Sequence, residues 1–98
     1  MNVQYSENAS DYEIAITTQD TEYPFVIPDG AKAIEIQCRD TTDIRASFTT
    51  GKVAGSTSPF QTIKGGTRYV KEHLYLNQQT LYVAAASGSK VVEVRVWL

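Results

Sequence analysis

Apolar side chains at helical spacing are what this 98-residue chain lacks most plainly. No stretch of about ten residues or more sets them at that interval with helix-favouring residues between, which excludes an all-α or α/β class. Cysteine and histidine occur once each, as Cys38 and His73. A lone cysteine forms no internal disulfide, which fits synthesis in a reducing compartment, and one of each type leaves no paired metal-ligand motif. The nine Lys and Arg are scattered against eleven Asp and Glu, for a net charge of -2. That balance argues against nucleic acid as a partner, because neutralising phosphates needs a clustered basic surface. No apolar run approaches the roughly 20 residues of a bilayer-spanning helix, so no membrane partner is expected. The first residues, Met1 to Glu7, have neither a basic start nor an apolar stretch, so a secretory signal is not expected. Without secretion the Asn8-Ala9-Ser10 sequon carries no weight.

What the chain has instead is alternation. Hydrophobic residues make up 42% and charged residues 20%, an ordinary globular balance that suits one domain of this size. Residues 1–10 read as an arm, in which Val3 and Tyr5 suggest a short edge strand, and 11–98 as the domain. Asp11 to Thr18 places Tyr12, Ile14 and Ile16 on one face. Glu22 to Ile27 is aromatic and β-branched, but Pro24 has no N–H for a ladder, so it belongs at an edge or a strand start. Pro28-Asp29-Gly30 is a turn. In Ala31 to Arg39, Ile34, Ile36 and Cys38 alternate with Glu35, Gln37 and Arg39, and Ile44 to Thr50 sets Ile44, Ala46 and Phe48 inward. These two segments read as a hairpin. Gly51 to Pro59 is the longest surface loop. Phe60 to Lys64, Thr67 to Glu72 and His73 to Leu76 are short extended pieces.

The C-terminal stretch has the clearest pattern. Thr80 to Ala86 turns Leu81, Val83 and Ala85 one way and Tyr82, Ala84 and Ala86 the other. After Ser87-Gly88-Ser89-Lys90, Val91 to Leu98 turns Val92, Val94, Val96 and Leu98 to one side and Glu93, Arg95 and Trp97 to the other. Read locally, this is a second hairpin. About seven or eight short strands, at the 8 to 12 residue spacing of turns, predict an all-β, single antiparallel β-sandwich of jelly-roll or immunoglobulin-like type. The expected core is Ile14, Ile16, Phe25, Ile27, Ile34, Ile36, Ile44, Phe48, Leu74, Leu81, Val83, Val92, Val94 and Val96.

Chemistry is harder to find. His73 beside Glu72 reads as a surface or turn histidine, and no nucleophile elbow surrounds any serine. Around Gly51-Lys52, Ala46 and Val53 stand where a phosphate loop needs Gly and Ser or Thr. Asp29, Asp40 and Asp43 read as turn-formers bonded to nearby backbone. Cys38 reads as a small buried residue rather than a reactive thiol. The expectation is therefore no enzyme, no cofactor and no metal. The aromatic set of Tyr12, Tyr23, Tyr69, Tyr75, Tyr82 and Trp97 allows three readings: a protein interface, cross-strand cover for a sheet, or a stacking platform for sugars.

Three runs carry a resemblance: Ile27-Pro28-Asp29-Gly30-Ala31-Lys32-Ala33-Ile34-Glu35-Ile36-Gln37-Cys38-Arg39, then Asp43-Ile44-Arg45-Ala46-Ser47-Phe48, then Leu81-Tyr82-Val83-Ala84-Ala85 with the closing Val-Glu-Val-Arg-Val-Trp. Together they resemble small virion proteins of tailed bacteriophages. The resemblance implies a non-enzymatic structural protein made in the host cytoplasm and resident in the virion, above all a capsid decoration or cement protein. It further implies contacts with the major capsid protein or other virion subunits and self-association as a trimer or dimer. A tail or fibre accessory protein and a carbohydrate-binding β-sandwich module are the alternatives. The residues expected at contacts are Tyr5 in the arm, Lys52 in the long loop, and Tyr82, Arg95 and Trp97 on strand faces, with Trp97 first.

Overall fold

The computed structural model describes residues 9–72 and 79–98. These residues form eight strands: β1 (Ala9–Ile16), β2 (Tyr23–Ile27), β3 (Ala33–Cys38), β4 (Ile44–Ser47), β5 (Gln61–Ile63), β6 (Arg68–Glu72), β7 (Gln79–Ala84) and β8 (Lys90–Trp97). They make two four-stranded sheets, β1-β8-β3-β6 and β2-β7-β4-β5, with antiparallel pairing between neighbours. This order is that of a jelly roll, in which the chain passes repeatedly from one sheet to the other. The immunoglobulin-like alternative is thereby set aside.

Among the described strands, β4 and β5 are the only consecutive pair joined in one ladder. Both expected hairpins are therefore corrected. β3 pairs with β6 and β8 while β4 pairs with β5 and β7, so the Ala31–Arg39 and Ile44–Thr50 segments lie in different sheets. β7 and β8 likewise part company, and β8 is flanked by β1 and β3. The Ser87-Gly88-Ser89 segment forms an arch rather than a hairpin turn. Backbone bonds tie it and the preceding Ala85 to the β1–β2 connection: Ser89 N–H donates to Thr17 O at 3.2 Å, and Asp20 N–H donates to Ala85 O at 2.7 Å. Gly88 is needed there because a Cβ at that position would stand 2.8 Å from the Thr17 carbonyl oxygen.

The inward faces meet the expectation closely. Ile14 and Ile16 of β1, Val92, Val94 and Val96 of β8, and Ile34, Ile36 and Cys38 of β3 bury one side of the core. Ile27, Leu81, Val83, Ile44, Ala46 and Ile63 supply the other. At the edge where β1 lies beside β2, Tyr12 packs edge-on to Phe25 with ring centroids 5.3 Å apart. β2 is an edge strand, as Pro24 requires, and Ala31 N–H donates to Pro28 O in the expected turn. Ala9 and Ser10 belong to β1 rather than to an arm; the remainder of the arm and Leu74 lie outside the described residues.

Phe48 is corrected: β4 ends at Ser47, and the ring that the alternation places inside is 46% exposed. Conversely Val53, in the expected surface loop, is fully buried. The loop folds back over the outward side of the second sheet. Arg45 points outward between inward-facing Ile44 and Ala46; its Nε donates to Val53 O at 2.6 Å, and its Nη2 reaches Ala54 O and Asp20 Oδ1. Ser47 Oγ donates to Pro59 O, while Glu22 accepts from Gly51 N–H and Thr50 Oγ1. Val53 and Ala84, the latter opposite Arg45 in the ladder, thus form a small second buried region apart from the main core.

Candidate interaction surfaces

The outward face of the β1-β8-β3-β6 sheet is a lattice of charge. It follows from strand alternation, because the inward positions of β1, β8 and β3 are apolar apart from Ser10 and Lys90 near strand ends, while the outward ones include Asp11, Glu13, Glu35, Gln37, Glu93 and Arg95. The registers then set Asp11 opposite Arg95 and Glu93 opposite Gln37, but also Glu13 opposite Glu93, a like-charge pair. Arg95 Nε donates to Asp11 Oδ1 at 2.6 Å and Arg68 Nη1 to Glu35 Oε2 at 2.7 Å. Arg39, just past β3, joins Glu13 at 2.5 Å and Glu93 at 2.8 Å, and so relieves the like-charge pair that the register creates. Gln37 Nε2 donates to the other oxygen of Glu93. Asp11, Glu13, Glu35, Gln37, Arg68, Glu93 and Arg95 line a shallow concavity of about 390 Å³.

Several carboxylates are held below their ordinary range. The guanidinium of Arg95 does this for Asp11, and Arg39 with Gln37 does it for Glu93. Asp40 is lowered by the ammonium of Lys90 at 2.9 Å and by hydroxyl and backbone donation from Thr42, and Asp43 by the N–H of Gly65 at 2.7 Å. A carboxyl whose folded pKa lies below its unfolded value stabilises the fold above the unfolded pKa, and that contribution disappears as pH falls through the folded one. The urea midpoint is therefore expected to hold steady from pH 7 to about pH 5 and to drop below about pH 4, less steeply in Asp40→Asn. Equilibrium unfolding at pH 7, 5 and 3 measures this; equal midpoints at pH 7 and 3 would contradict it.

The expected contact residues do not form one surface. Arg95 and Trp97 stand on the outward side of β8, where Trp97 is opposite Ala9 and Ala33. Tyr82 stands on the outward side of β7, in the other sheet, opposite Pro24 and Ser47. Lys52 is half-buried in the loop that covers part of that second face. Tyr5 lies outside the described residues, as do His73 and Tyr75.

The remaining aromatics also scatter. Tyr12 and Tyr23 turn inward and pack on the core, with the Tyr23 hydroxyl accepting from Thr18 N–H. No shared stacking platform is formed among the described rings. Cys38 is buried, its thiol pushed up by burial and donating to Asp40. Asp40 accepts from Thr42 N–H, the local turn bond expected of it. Among the described residues no group of three or more His, Cys, Asp or Glu side chains is placed to hold a metal, and no helix is long and apolar enough to cross a membrane.

Sequence reasoning missed the exposed apolar residues. Among the described residues, Val26 on β2, Phe48 after β4, and Tyr69 and Val70 on β6 are the large hydrophobic side chains left in solvent. Tyr69 and Val70 are adjacent and therefore point to opposite sides of an edge strand, yet both are exposed, at 41% and 46%. The signal for them lay in strand position: alternation tells faces apart, not edges from centres.

No protein-family model and no curated protein matches the chain. Among solved structures, the solution NMR structure of a de novo designed double-stranded β-helix is similar to it, with a TM-score of 0.52 and 16% identity, covering 92% of this chain and 96% of that one. That likeness concerns the fold, and it agrees with the jelly-roll strand order.

Proposed function

We propose that this chain is a non-enzymatic structural subunit of a tailed-phage virion, a decoration or cement protein that binds the capsid through surface contacts. The observation that carries the reading is the distribution of exposed groups. Large apolar side chains lie exposed on edge strands and a strand end, while most acids and bases of the broad outward sheet face are engaged with one another. Exposed apolar side chains suit contact, and internally paired charges leave few groups poised for proton transfer. The jelly roll is also a fold of viral capsid proteins, which supports the reading by analogy alone. A subunit that binds only the assembled shell stabilises it by RT ln(1 + [L]/Kd) per site.

Phage particles banded on a density gradient, from a host carrying this gene, should contain the chain in many copies, and gold-labelled antibody against it should mark their surface. A chain found only in the soluble fraction sinks the proposal. Trp97→Ala is expected to fold and to bind those particles at least about tenfold more weakly, as removal of a contact-centre aromatic does. Undiminished binding would take that face out of the contact.

The polar concavity of about 390 Å³ supports a second reading, a carbohydrate-binding module. Carboxylates, guanidinium groups and an amide are good partners for sugar hydroxyls. Retention on immobilised polysaccharide with elution by free sugar favours this reading over the first; passage through the column excludes it.

A further inference from the structure

The two edges of each sheet are not alike. β1 is flanked by β2 of the other sheet, β2 carries Pro24 within its length, and β5 has three residues. Closure, proline and brevity are the usual means of keeping an edge from pairing. Among the described residues β6 has none of them. It runs five residues, Arg68-Tyr69-Val70-Lys71-Glu72, with no strand of the described residues on its outer side, and Arg68 through Lys71 are all exposed.

From this edge we infer that β6 is a self-pairing strand: its partner is β6 of a second copy of this chain, antiparallel about a twofold axis at Val70. The sequence of the strand complements its own reverse. With Val70 opposite Val70, Arg68 falls opposite Glu72 and Tyr69 opposite Lys71. Each direct pair lies on one face of the extended sheet, because residues directly opposite in an antiparallel ladder share a face. The two 68/72 positions thus pair unlike charges twice, the two 69/71 positions set an ammonium beside a phenol ring, and the apolar pair closes the centre. A one-residue slip would move every side chain to the other face, and a two-residue slip would break the charge match. The Arg68 guanidinium already holds Glu35 through Nη1 and has further N–H donors for a second carboxylate. Pairing would turn two four-stranded sheets into one continuous eight-stranded sheet and bury Tyr69 and Val70, two of the most exposed apolar residues.

The inference stands apart from the virion reading, since it concerns the isolated chain. A five-strand-residue contact is smaller than the surface of about 1,200 Å² that marks a stable complex, so association is expected to be weak and concentration-dependent. Sedimentation velocity from about 20 µM to about 1 mM should show the mass rising towards a dimer. Val70→Lys, which sets two ammonium groups face to face at an exposed site, should hold it at the monomer. Arg68→Glu and Glu72→Arg should each weaken association about tenfold, and the double exchange should bring it back to within about threefold of the original, a restoration that only pairing of these two positions produces. Under oxidation Val70→Cys should form a disulfide-linked dimer, since directly opposed Cα atoms stand about 4.5–5.5 Å apart. Tyr69→Cys, displaced from its own copy by two residues, and the unaltered chain with its buried Cys38 should not. A monomeric mass throughout, dimerisation that survives Val70→Lys, or a double exchange no better than the singles overturns the inference.

Discussion

Ile36→Ala is expected to cost about 3–4 kcal/mol of folding stability, within the range measured for isoleucine truncation in closed cores. Ile36 sits at the centre of β3, between Tyr69 of β6 and Val94 of β8 in the ladder, and it is 1% exposed. Because β3 has neighbours on both sides and the second sheet beneath, the surrounding chain cannot collapse into the space left by the missing carbons, so the cavity adds to the lost transfer energy. For a domain of this size the melting temperature should fall by roughly 12–30 °C. Against a total stability of about 5–15 kcal/mol, the variant stays folded only at moderate temperature. Val26→Ala, at an exposed position on an edge strand, is the comparison and should shift stability by no more than about 0.5 kcal/mol. Thermal melts of the two variants settle the matter; similar melting points would mean that the core is not where Ile36 lies.

Val53→Asp should have an effect of similar size but a different reach. The residue is fully buried, and the Arg45 guanidinium that bonds its backbone is already engaged with the carbonyls of Val53 and Ala54 and with Asp20. Burying a charge without a prepared partner costs several kcal/mol, more than the docking of one loop supplies. The cheaper response is for the 48–60 segment to leave the sheet, since its burial is separate from the main core. Local opening of this kind is read by proteolysis. Trypsin cleavage after Lys52 should accelerate by about 100-fold, which corresponds to about 2.7 kcal/mol of lost docking, while cooperative melting of the sandwich persists. Cleavage no faster than in the parent chain would show that the loop is held by its backbone bonds alone.

The contrast between these two sites marks how much was legible beforehand. The inward row of β8 and the burial of Ile34 and Ile36 were readable because a two-residue period assigns faces whatever the neighbouring strands are. Strand partners were not, because an arch between sheets and a hairpin within one use the same Gly, Ser and Asp residues; Ser87-Gly88-Ser89 looked like a turn joining β7 to β8 and instead leans on Thr17. Val53 was hidden for a related reason, as one valine in a polar loop has no periodicity to declare a face. Phe48 failed in the opposite sense, since the alternation ran one position beyond the strand. The same limit divided the candidate surface: Tyr82 and Trp97 alternate correctly in their own strands, but the chain changes sheets between them, so they face away from each other.

The pairing of Ala9 with Trp97 has a kinetic meaning. β8 lies between β1 and β3, so neither of those strands has its ladder on that side until the last strand has left the ribosome. Synthesis at about 5–20 residues per second leaves β1 exposed for several seconds before its partner exists. Contacts so distant along the chain also place the domain among slow folders, in the millisecond-to-second range of all-β proteins. β8, the last of these eight strands to be made, completes the sheet to which β1 and β3 belong.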